Sequence, residues 1–328
     1  MNSKEIIKKT LEFNNPERVG RSFRNSDFAH SGNNVDTPAT DWKKIGENEW
    51  TRRDEWGNLW RRVDPTSKGE VVEGALENLK KVEDYSFPDY SNYEDYKPVE
   101  AKRKEAPDKW LIGGLPGFTF NIARKLFKLE NYLSYLLLKP ELIQTLHDKI
   151  DKMLEDMIIN YAEAGVDSIM FPEDWGTQTQ TLISPELWQQ EFYPRFENLC
   201  STAHENGIKV FMHSCGKITD IIPGLMEAGI DLLQFDQPTL HGIDTLASFQ
   251  AESKITFWCP VDIQKTLQTK DETRIKNEAQ ELLDKLWQGR GGFIAGYYSD
   301  NESIGLDPAW QNIACEEFIK QGKRKYYK

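Results

Sequence analysis

Short apolar runs alternate with longer amphipathic stretches along the chain from Trp110 onward. The amphipathic stretches show helical spacing and helix-end signals: one extends from Pro140 to Gly165, and another starts with Ser184 as a cap and Pro185 as its first helical residue. Strands that alternate with helices are typical of a parallel sheet with both faces covered. The apolar runs predict six strands, at residues 110–115, 166–171, 208–213, 230–235, 255–259 and 291–296.

The pattern predicts one α/β domain over residues 1–328. Residues 18–23 supply a seventh strand, and no eighth strand is clear. No GxGxxG turn follows the first strand, which disfavours a dinucleotide-binding doubly wound sheet. We therefore predict a (β/α)8 barrel of the TIM type. Residues 36–109 are expected to be an insertion that caps the barrel mouth, because aromatic and charged residues alternate around Gly57 as in a β-hairpin.

Charge and composition narrow the range of partners. The chain has 41 Lys and Arg against 53 Asp and Glu, a net charge of −12, which argues against nucleic acid and anionic membranes as partners. No apolar run is long enough to cross a bilayer, and the first residues lack the pattern of a signal peptide. The four cysteines form no CxxC pair, which fits a reducing compartment. We expect a cytoplasmic protein.

Reactive side chains follow the carboxyl ends of the predicted strands, which in such a barrel form one rim that carries the active site. Each residue also has an ordinary explanation as a cap, a core thiol or a wall aromatic, so their shared placement is the functional signal. In chain order they are Glu173 and Asp174, His213 and Cys215, Asp236, Cys259, and finally Tyr297, Tyr298, Asp300 and Glu302.

His213 and Cys215 form the most informative pair. Side chains at i and i+2 of a strand project from the same face, and imidazole and thiolate are both good zinc ligands. Two ligands fall short of the usual three or four, so a buried histidine and a small apolar cysteine are the alternative interpretation.

The chain resembles the uroporphyrinogen decarboxylase superfamily, and within it the methyltransferases that serve corrinoid (cobalamin) proteins. The resemblance implies a single barrel, a small-molecule methyl donor and a corrinoid-binding partner protein, and it is compatible with a homodimer. The segments that carry it occur in the expected order: "DEWGNLWRR", "GVDSIMFPEDWGTQTQTLISPELWQQEFYPRF", "KVFMHSCGKITDIIPGLMEAGIDLLQFDQP", "ITFWCPVDIQKTL", and "GGFIAG" followed by "LDPAW".

In that branch the HxC pair commonly binds a catalytic zinc, which implies zinc at His213 and Cys215. A further Cys or His usually follows the strand that here reads "GGFIAG", but the loop "YYSDNESIGLD" has neither. Cys259 and Glu302 are the first candidates for a third ligand. Asp300 and Glu173 are further candidates.

The remaining rim residues are assigned to proton transfer and to the substrate pocket. Glu173, Asp174, Asp236 and Tyr298 are the predicted catalytic residues. The predicted pocket residues are Trp175, Gln178, Trp258 and Tyr297. The aromatic rings among them favour a methoxylated aromatic donor and hence an O-demethylation. The methyl group could pass to the corrinoid, or from it to a thiol, and zinc suits both directions.

Two other functions remain open. A uroporphyrinogen decarboxylase would have to bind a substrate with eight carboxylates, which the acidic rim would repel. The arginine-bearing N-terminal stretch of that enzyme is also not reproduced by "ERVGRSFR". The other alternative is a barrel that only binds a ligand, since fold alone does not determine function.

Overall fold

The centre of the molecule is a ring of eight parallel strands, seen in a computed structural model that describes residues 1–76 and 78–326. Their order in the sheet is β1-β12-β11-β10-β9-β8-β7-β2, so β7 to β12 follow one another as they do in the chain, while β1 pairs with β12 and β2 with β7. This arrangement confirms the predicted (β/α)8 barrel. In chain order the strands are β1 (Gly20–Arg21), β2 (Phe28–Ser31), β3 (Lys43–Gly46), β4 (Glu49–Arg53), β5 (Leu59–Arg62), β6 (Glu70–Glu73), β7 (Trp110–Gly114), β8 (Ser168–Pro172), β9 (Lys209–His213), β10 (Leu232–Gln234), β11 (Thr256–Cys259) and β12 (Phe293–Ala295).

Helices cover the outside of the ring between successive strands. The helix predicted from Ser184 is interrupted at Phe192, as its internal Pro194 suggests, since proline is tolerated in a first turn but not in a helix interior. The α-helices are α1 (Ser3–Leu11), α2 (Lys97–Glu105), α3 (Thr119–Phe127), α4 (Leu129–Leu138), α5 (Pro140–Glu163), α6 (Pro185–Glu191), α7 (Tyr193–Glu205), α8 (Ile222–Glu227), α9 (Ile243–Glu252), α10 (Glu272–Leu282) and α11 (Pro308–Gln321). Among the described helices, none is both long and apolar enough to cross a membrane.

Strand β2 is the eighth strand that the apolar pattern does not reveal. It has four residues and follows β1 without an intervening helix. A partly buried ion pair joins the residues that precede the two strands: the guanidinium of Arg18 donates to both carboxylate oxygens of the buried Asp27, at 2.6 and 2.8 Å. The backbone N–H of Asp27 also donates to the carbonyl of Arg21, and its carbonyl accepts from Trp110. These bonds hold β1 and β2, the two ends of the sheet order, near each other.

The interior of the barrel is packed with side chains. Strand register places alternate residues of adjacent strands on one face, so Phe211, Leu232 and Ile294 belong to a single inner cluster. The cluster also contains Ile7 and Leu11 of α1, both buried. Helix α1 therefore supplies apolar side chains to the barrel interior, and a second, larger cluster fills the layer between the strands and the outer helices.

Strands β3 to β6 form a separate antiparallel sheet within the segment predicted to be a cap. Trp50 pairs with Arg62 and Arg52 with Trp60, which gives the alternating aromatic and cationic face expected of the hairpin. The backbone N–H of Leu76 donates to the carbonyl of Leu126 in α3, at 3.0 Å. This bond links the end of the antiparallel sheet to a helix of the barrel.

Replacing Phe211 by Ala should lower the free energy of unfolding by about 3–5 kcal/mol, because it leaves a cavity in the inner cluster. Phe211 is fully buried and its ring is stacked on Trp110 with centroids 6.2 Å apart. Ile45→Ala, at a side chain that is 58% exposed, is the control and should change the free energy by less than about 0.5 kcal/mol. Urea unfolding followed by circular dichroism measures both. Equal effects of the two substitutions would contradict the assignment of Phe211 to the core.

Candidate metal centre

The strand register decides which rim residues face the barrel mouth. Pro172 and Gln234 are both in register with His213, and Trp258 is in register with Gln234. In adjacent parallel strands, residues in register project from the same face, so these positions share the inner face with His213. Asp174 lies two residues after Pro172 and Cys215 two residues after His213. Because side chains alternate between faces, both are expected on the same inner face.

Three potential ligands of different types converge at this point. The ligand atoms of Asp174, His213 and Cys215 all lie within 4.8 Å of one another. The Nε2 atom of His213 is 3.3 Å from the Cys215 sulfur and 3.8 Å from Oδ1 of Asp174. A carboxylate, an imidazole and a thiol with this spacing match the ligand types and number of a catalytic zinc site that keeps one position open.

Two loops are held against each other to bring Asp174 to the pair. Gly176 and Gly216 are in backbone contact, since a Cβ built on Gly216 would lie 2.3 Å from the backbone of Gly176. Gly216 also has φ +75°, which disfavours side-chain-bearing residues. The N–H of Lys217 donates to the carbonyl of Thr177, at 2.7 Å, and the N–H of Cys215 donates to Oδ1 of Asp174, at 3.0 Å. The absence of side chains at both glycines permits this approach.

A chain of hydrogen bonds orients His213. Gln234 donates through Nε2 to Oδ1 of Asp236, at 2.9 Å, so its amide oxygen is directed toward Nδ1 of His213. The Nδ1–H of His213 therefore donates to Gln234, and Nε2 faces Cys215 and Asp174. An outer hydrogen bond that fixes the tautomer is typical of metal-binding histidines.

The carboxylate of Asp174 is held in its charged form. Burial alone would raise its pKa, but His213, the N–H of Cys215 and Arg124 together outweigh burial and lower the pKa. The guanidinium of Arg124 lies 3.4 Å from Oδ2 of Asp174 and also donates to Asn121, at 2.9 Å. Oδ1, by contrast, is directed toward Cys215 and His213.

The thiol of Cys215 is in an environment that disfavours its anion. Burial, together with the nearby carboxylates of Asp174 and Asp236, raises its pKa to about 12. A thiolate at this position would require a compensating positive charge, which a bound divalent cation supplies.

A cavity of about 150 Å³ opens beside the three ligands. His213 and Cys215 line it together with Asp236 and Tyr298, which were predicted to be catalytic, and its other polar lining residues are Lys68, Ser214, Gln237, His241 and Gln264. Lys68 belongs to the loop between β5 and β6, so the segment predicted to be a cap contributes to the wall of the cavity. That contact supports the cap interpretation, which stays a prediction.

The structure does not bring the expected third ligands to the pair. Cys259 is fully buried in the outer cluster, because it is one residue out of phase with Trp258 on β11. Glu302 is exposed at the start of a short helical turn. Neither these two residues nor Asp300 belongs to the group of three ligands found among the described residues.

Glu173 and Asp174 are consecutive residues, so their side chains project to opposite faces of the strand end. Its carboxylate is fully buried and accepts from the backbone N–H groups of Phe118, at 2.9 Å, and Asn121, at 3.1 Å, at the start of α3. Burial raises its pKa to about 8, against these hydrogen bonds, which lower it. The structure therefore places the carboxylate of Glu173 against α3 and not at the mouth of the barrel, where a catalytic residue was expected.

The predicted pocket residues are divided between the core and the rim. Trp175 is fully buried and stacks on Phe120 at 3.9 Å, and Trp258 stacks on Phe28 inside the barrel at 4.6 Å. Tyr297 packs partly buried against the outer cluster. Gln178 is exposed, and its amide donates to Gln237 of the cavity wall, at 3.3 Å.

Two residues of the candidate site escape the sequence analysis, Gln234 and Arg124. Gln234 could have been found by alternation, since it lies two residues before Asp236 on the inner face. His241, which follows Asp236 on the same predicted rim, lines the cavity and stacks on Phe235 at 4.2 Å, and its Nε2 atom has no hydrogen-bond partner among the described residues. Arg124 comes from a helix far earlier in the chain, and no local pattern connects it with Asp174.

Several solved structures are similar to this chain, and the first described here shares its fold. A methyltransferase from Methanosarcina mazei matches with a TM-score of 0.63 and 15% identity, over 97% of this chain and 86% of that protein. A 3-keto-D-glucoside 4-epimerase from E. coli matches with a TM-score of 0.43 and 14% identity, over 75% of this chain and 95% of that protein. D-psicose 3-epimerase from Clostridium cellulolyticum H10 matches with a TM-score of 0.42 and 9% identity, over 76% and 86% of the two chains.

Comparison with curated proteins gives no match. The sequence profile of the family described as uroporphyrinogen decarboxylase (URO-D) matches residues 63–297, which include β7 to β12 and all three ligands. The chain belongs to the uroporphyrinogen decarboxylase family.

Proposed function

We propose that this protein is a methyltransferase of a corrinoid-dependent system, which moves a methyl group between a small donor and a corrinoid protein. The observation that carries the proposal is the convergence of Asp174, His213 and Cys215 at the mouth of the barrel. Decarboxylation of a porphyrinogen gives no role to a thiol and an imidazole arranged in this way. The shared fold with a methyltransferase from Methanosarcina mazei is consistent with the proposal.

Asp174, His213 and Cys215 would hold a zinc ion. When bound, zinc would supply Lewis-acid chemistry to the oxygen or sulfur atom that exchanges the methyl group. Gln234 orients His213, and Arg124 balances the charge of Asp174 from the side away from Cys215. These two residues keep the ligand set in place when substrate enters.

The cavity is small, and its walls carry groups that can transfer a proton to or from a bound donor. Asp236 and Tyr298 are the protic groups that we assign to proton transfer at the cavity. Lys68 brings a positive charge from the loop between β5 and β6. A volume of about 150 Å³ is far below that of typical ligand pockets and suits a small methyl-bearing group better than a whole tetrapyrrole.

The finer parts of the proposal come from the resemblance and the rim chemistry. We propose a methoxylated aromatic compound as the donor, a separate corrinoid protein as the cobalamin carrier, and the cytoplasm as the location. A homodimer is compatible with these assignments. The carboxylates at Asp174 and Asp236 disfavour the porphyrinogen with its eight carboxylates.

Substitution of any one proposed ligand should remove most of the bound metal. We expect His213→Ala, Cys215→Ser and Asp174→Asn to reduce zinc affinity by more than about tenfold, and Gln234→Leu, which removes only the outer hydrogen bond, by about 10–100-fold. Metal analysis of protein purified without chelator and dialysed against buffered zinc measures the content per chain.

Cys259→Ala and Glu302→Gln are matched controls, since each removes a possible ligand atom that the structure keeps out of the group of three. Both should keep the zinc content of the parent. Equal content in the parent and in all three ligand variants would refute the site. Loss of zinc in Cys259→Ala, with unchanged zinc in Asp174→Asn, would show that Cys259 is the third ligand, as expected from the sequence.

The parent protein should form methylcobalamin when it is incubated with a reduced corrinoid protein and a methoxylated aromatic compound such as anisole. The change in corrinoid absorbance measures the rate, and His213→Ala should lower this rate by at least about a hundredfold if the ligand supports the chemical step. Glu302→Gln should react at the rate of the parent.

The decarboxylase alternative predicts a different product. Release of carbon dioxide from uroporphyrinogen, without methyl transfer from any ether, amine or alcohol donor, would show that the chain shares the chemistry after which its family is named. In that case zinc content and activity would vary independently among the ligand variants.

A further inference from the structure

A second cavity, of about 530 Å³, lies between the antiparallel sheet and helices α3 and α4. Its volume is within the range of small-molecule sites. It shares no lining residue with the cavity at the metal centre, although the neighbours Lys68 and Gly69 line one cavity each. Arg124 lines the second cavity and contacts Asp174 of the metal centre.

Positive charge is concentrated along one wall of this cavity, on a protein whose net charge is −12. Arg124, Lys125 and Lys128 supply this charge. Basic residues in the last turn of a helix also have an ordinary explanation, because they complement the helix dipole. Lys128 has a partner of its own, the carboxylate of Glu130 at 2.9 Å.

Lys125, unlike Lys128, has no ion-pair partner among the described residues. Its side chain is half-buried, and burial lowers the pKa of the ammonium group. This ammonium group makes no hydrogen bond or ion pair among the described residues and lies 6.0 Å from the ring centroid of Trp60. The carboxylates of Glu55 and Asp54 favour its charged form without outweighing burial. A partly desolvated cation without a directly bonded counter-ion is costly, and an anionic ligand in contact with it would reduce that cost.

Arg124 is only partly engaged. Its Nε atom donates to Asn121 and its Nη2 atom to Asp174, while Nη1 makes no hydrogen bond among the described residues. A guanidinium group with one free amino group can still donate to a carboxylate. Arg124 and Lys125 are consecutive residues of α3, so both can contribute to one anion site.

Trp60 offers the same cavity a fixed aromatic surface. The indole N–H of Trp60 donates to Asp54, at 2.7 Å, and the guanidinium of Arg52 lies 5.1 Å from its ring. Leu129 adds an apolar side chain to the same cavity. A wall that is held in place in this way loses little conformational entropy when a ligand binds.

We propose that this cavity binds a small aromatic carboxylate, with the carboxylate on Lys125 and Nη1 of Arg124 and the ring against Trp60 and Leu129. The carboxylates of Glu70 and Glu130 at the same cavity disfavour a doubly charged phosphate. The site does not depend on the methyl-transfer reaction, and its occupancy can be measured without metal or corrinoid.

Titration calorimetry with benzoate as the probe tests the proposal. Benzoate should bind to the parent protein, whereas benzamide, which lacks the charge, and acetate, which lacks the ring, should bind at least about tenfold more weakly. Raising the salt concentration should weaken benzoate more than benzamide. Inorganic phosphate is titrated in the same way, and we expect it to bind more weakly than benzoate.

Lys125→Gln should weaken benzoate binding by at least about tenfold, and Trp60→Leu should weaken benzoate while leaving acetate unchanged. Lys320→Gln, which removes an exposed lysine of α11, is the control for loss of net charge and should bind benzoate like the parent. Equal affinity for benzoate and benzamide, or an unchanged affinity in Lys125→Gln, would overturn the proposal. Phosphate binding tighter than benzoate would also overturn it.

Discussion

Each strand of a closed parallel barrel must pair with a neighbour on both sides, and this requirement determines which of its side chains face inward. The register that joins β8, β9, β10 and β11 puts Pro172, His213, Gln234 and Trp258 on one inner layer. Apolar residues fill the layers beneath it, with help from α1. The polar layer lies at the carboxyl ends of the strands, where the packed interior ends and ligand atoms can be reached from the mouth.

The candidate metal centre depends on elements that are distant in the chain. His213 and Cys215 come from one strand end and Asp174 from its neighbour. Arg124 comes from a helix whose N-terminal N–H groups donate to the carboxylate of Glu173. Glu173 thus fixes the helix that carries Arg124, and Arg124 fixes the residue next to Glu173. The carboxylates of Glu173 and Asp174 lie on opposite faces of one strand end, and both contact α3. The geometry of the candidate ligands therefore depends on how α3 packs in the outer layer.

Much of the fold could be predicted from the sequence, because six strands are apolar on both faces and are separated by clear helices. Strand β2 could not, since only Phe28 and Ala29 of its four residues are buried and no helix separates it from β1. The spacing of His213 and Cys215 identified part of the site. The choice of Asp174 over Glu173 depends on the phase of the pleat at a strand end, which a sequence without register does not specify. The contact between Arg124 and Asp174 is tertiary and has no local signal.

The position of Cys259 shows how narrowly the ligand set is defined. Its thiol lies at the level of the mouth but on the outer face of β11, behind Trp258. A shift of that strand by one residue would exchange the two side chains, and a second thiol would then lie on the inner face with that of Cys215. The ligand type available at the mouth can therefore change through a one-residue insertion or deletion in a strand, with no substitution of any ligand. Within such a barrel, conversion between a carboxylate-containing site and a thiolate-rich one is a matter of strand phase as much as of residue type.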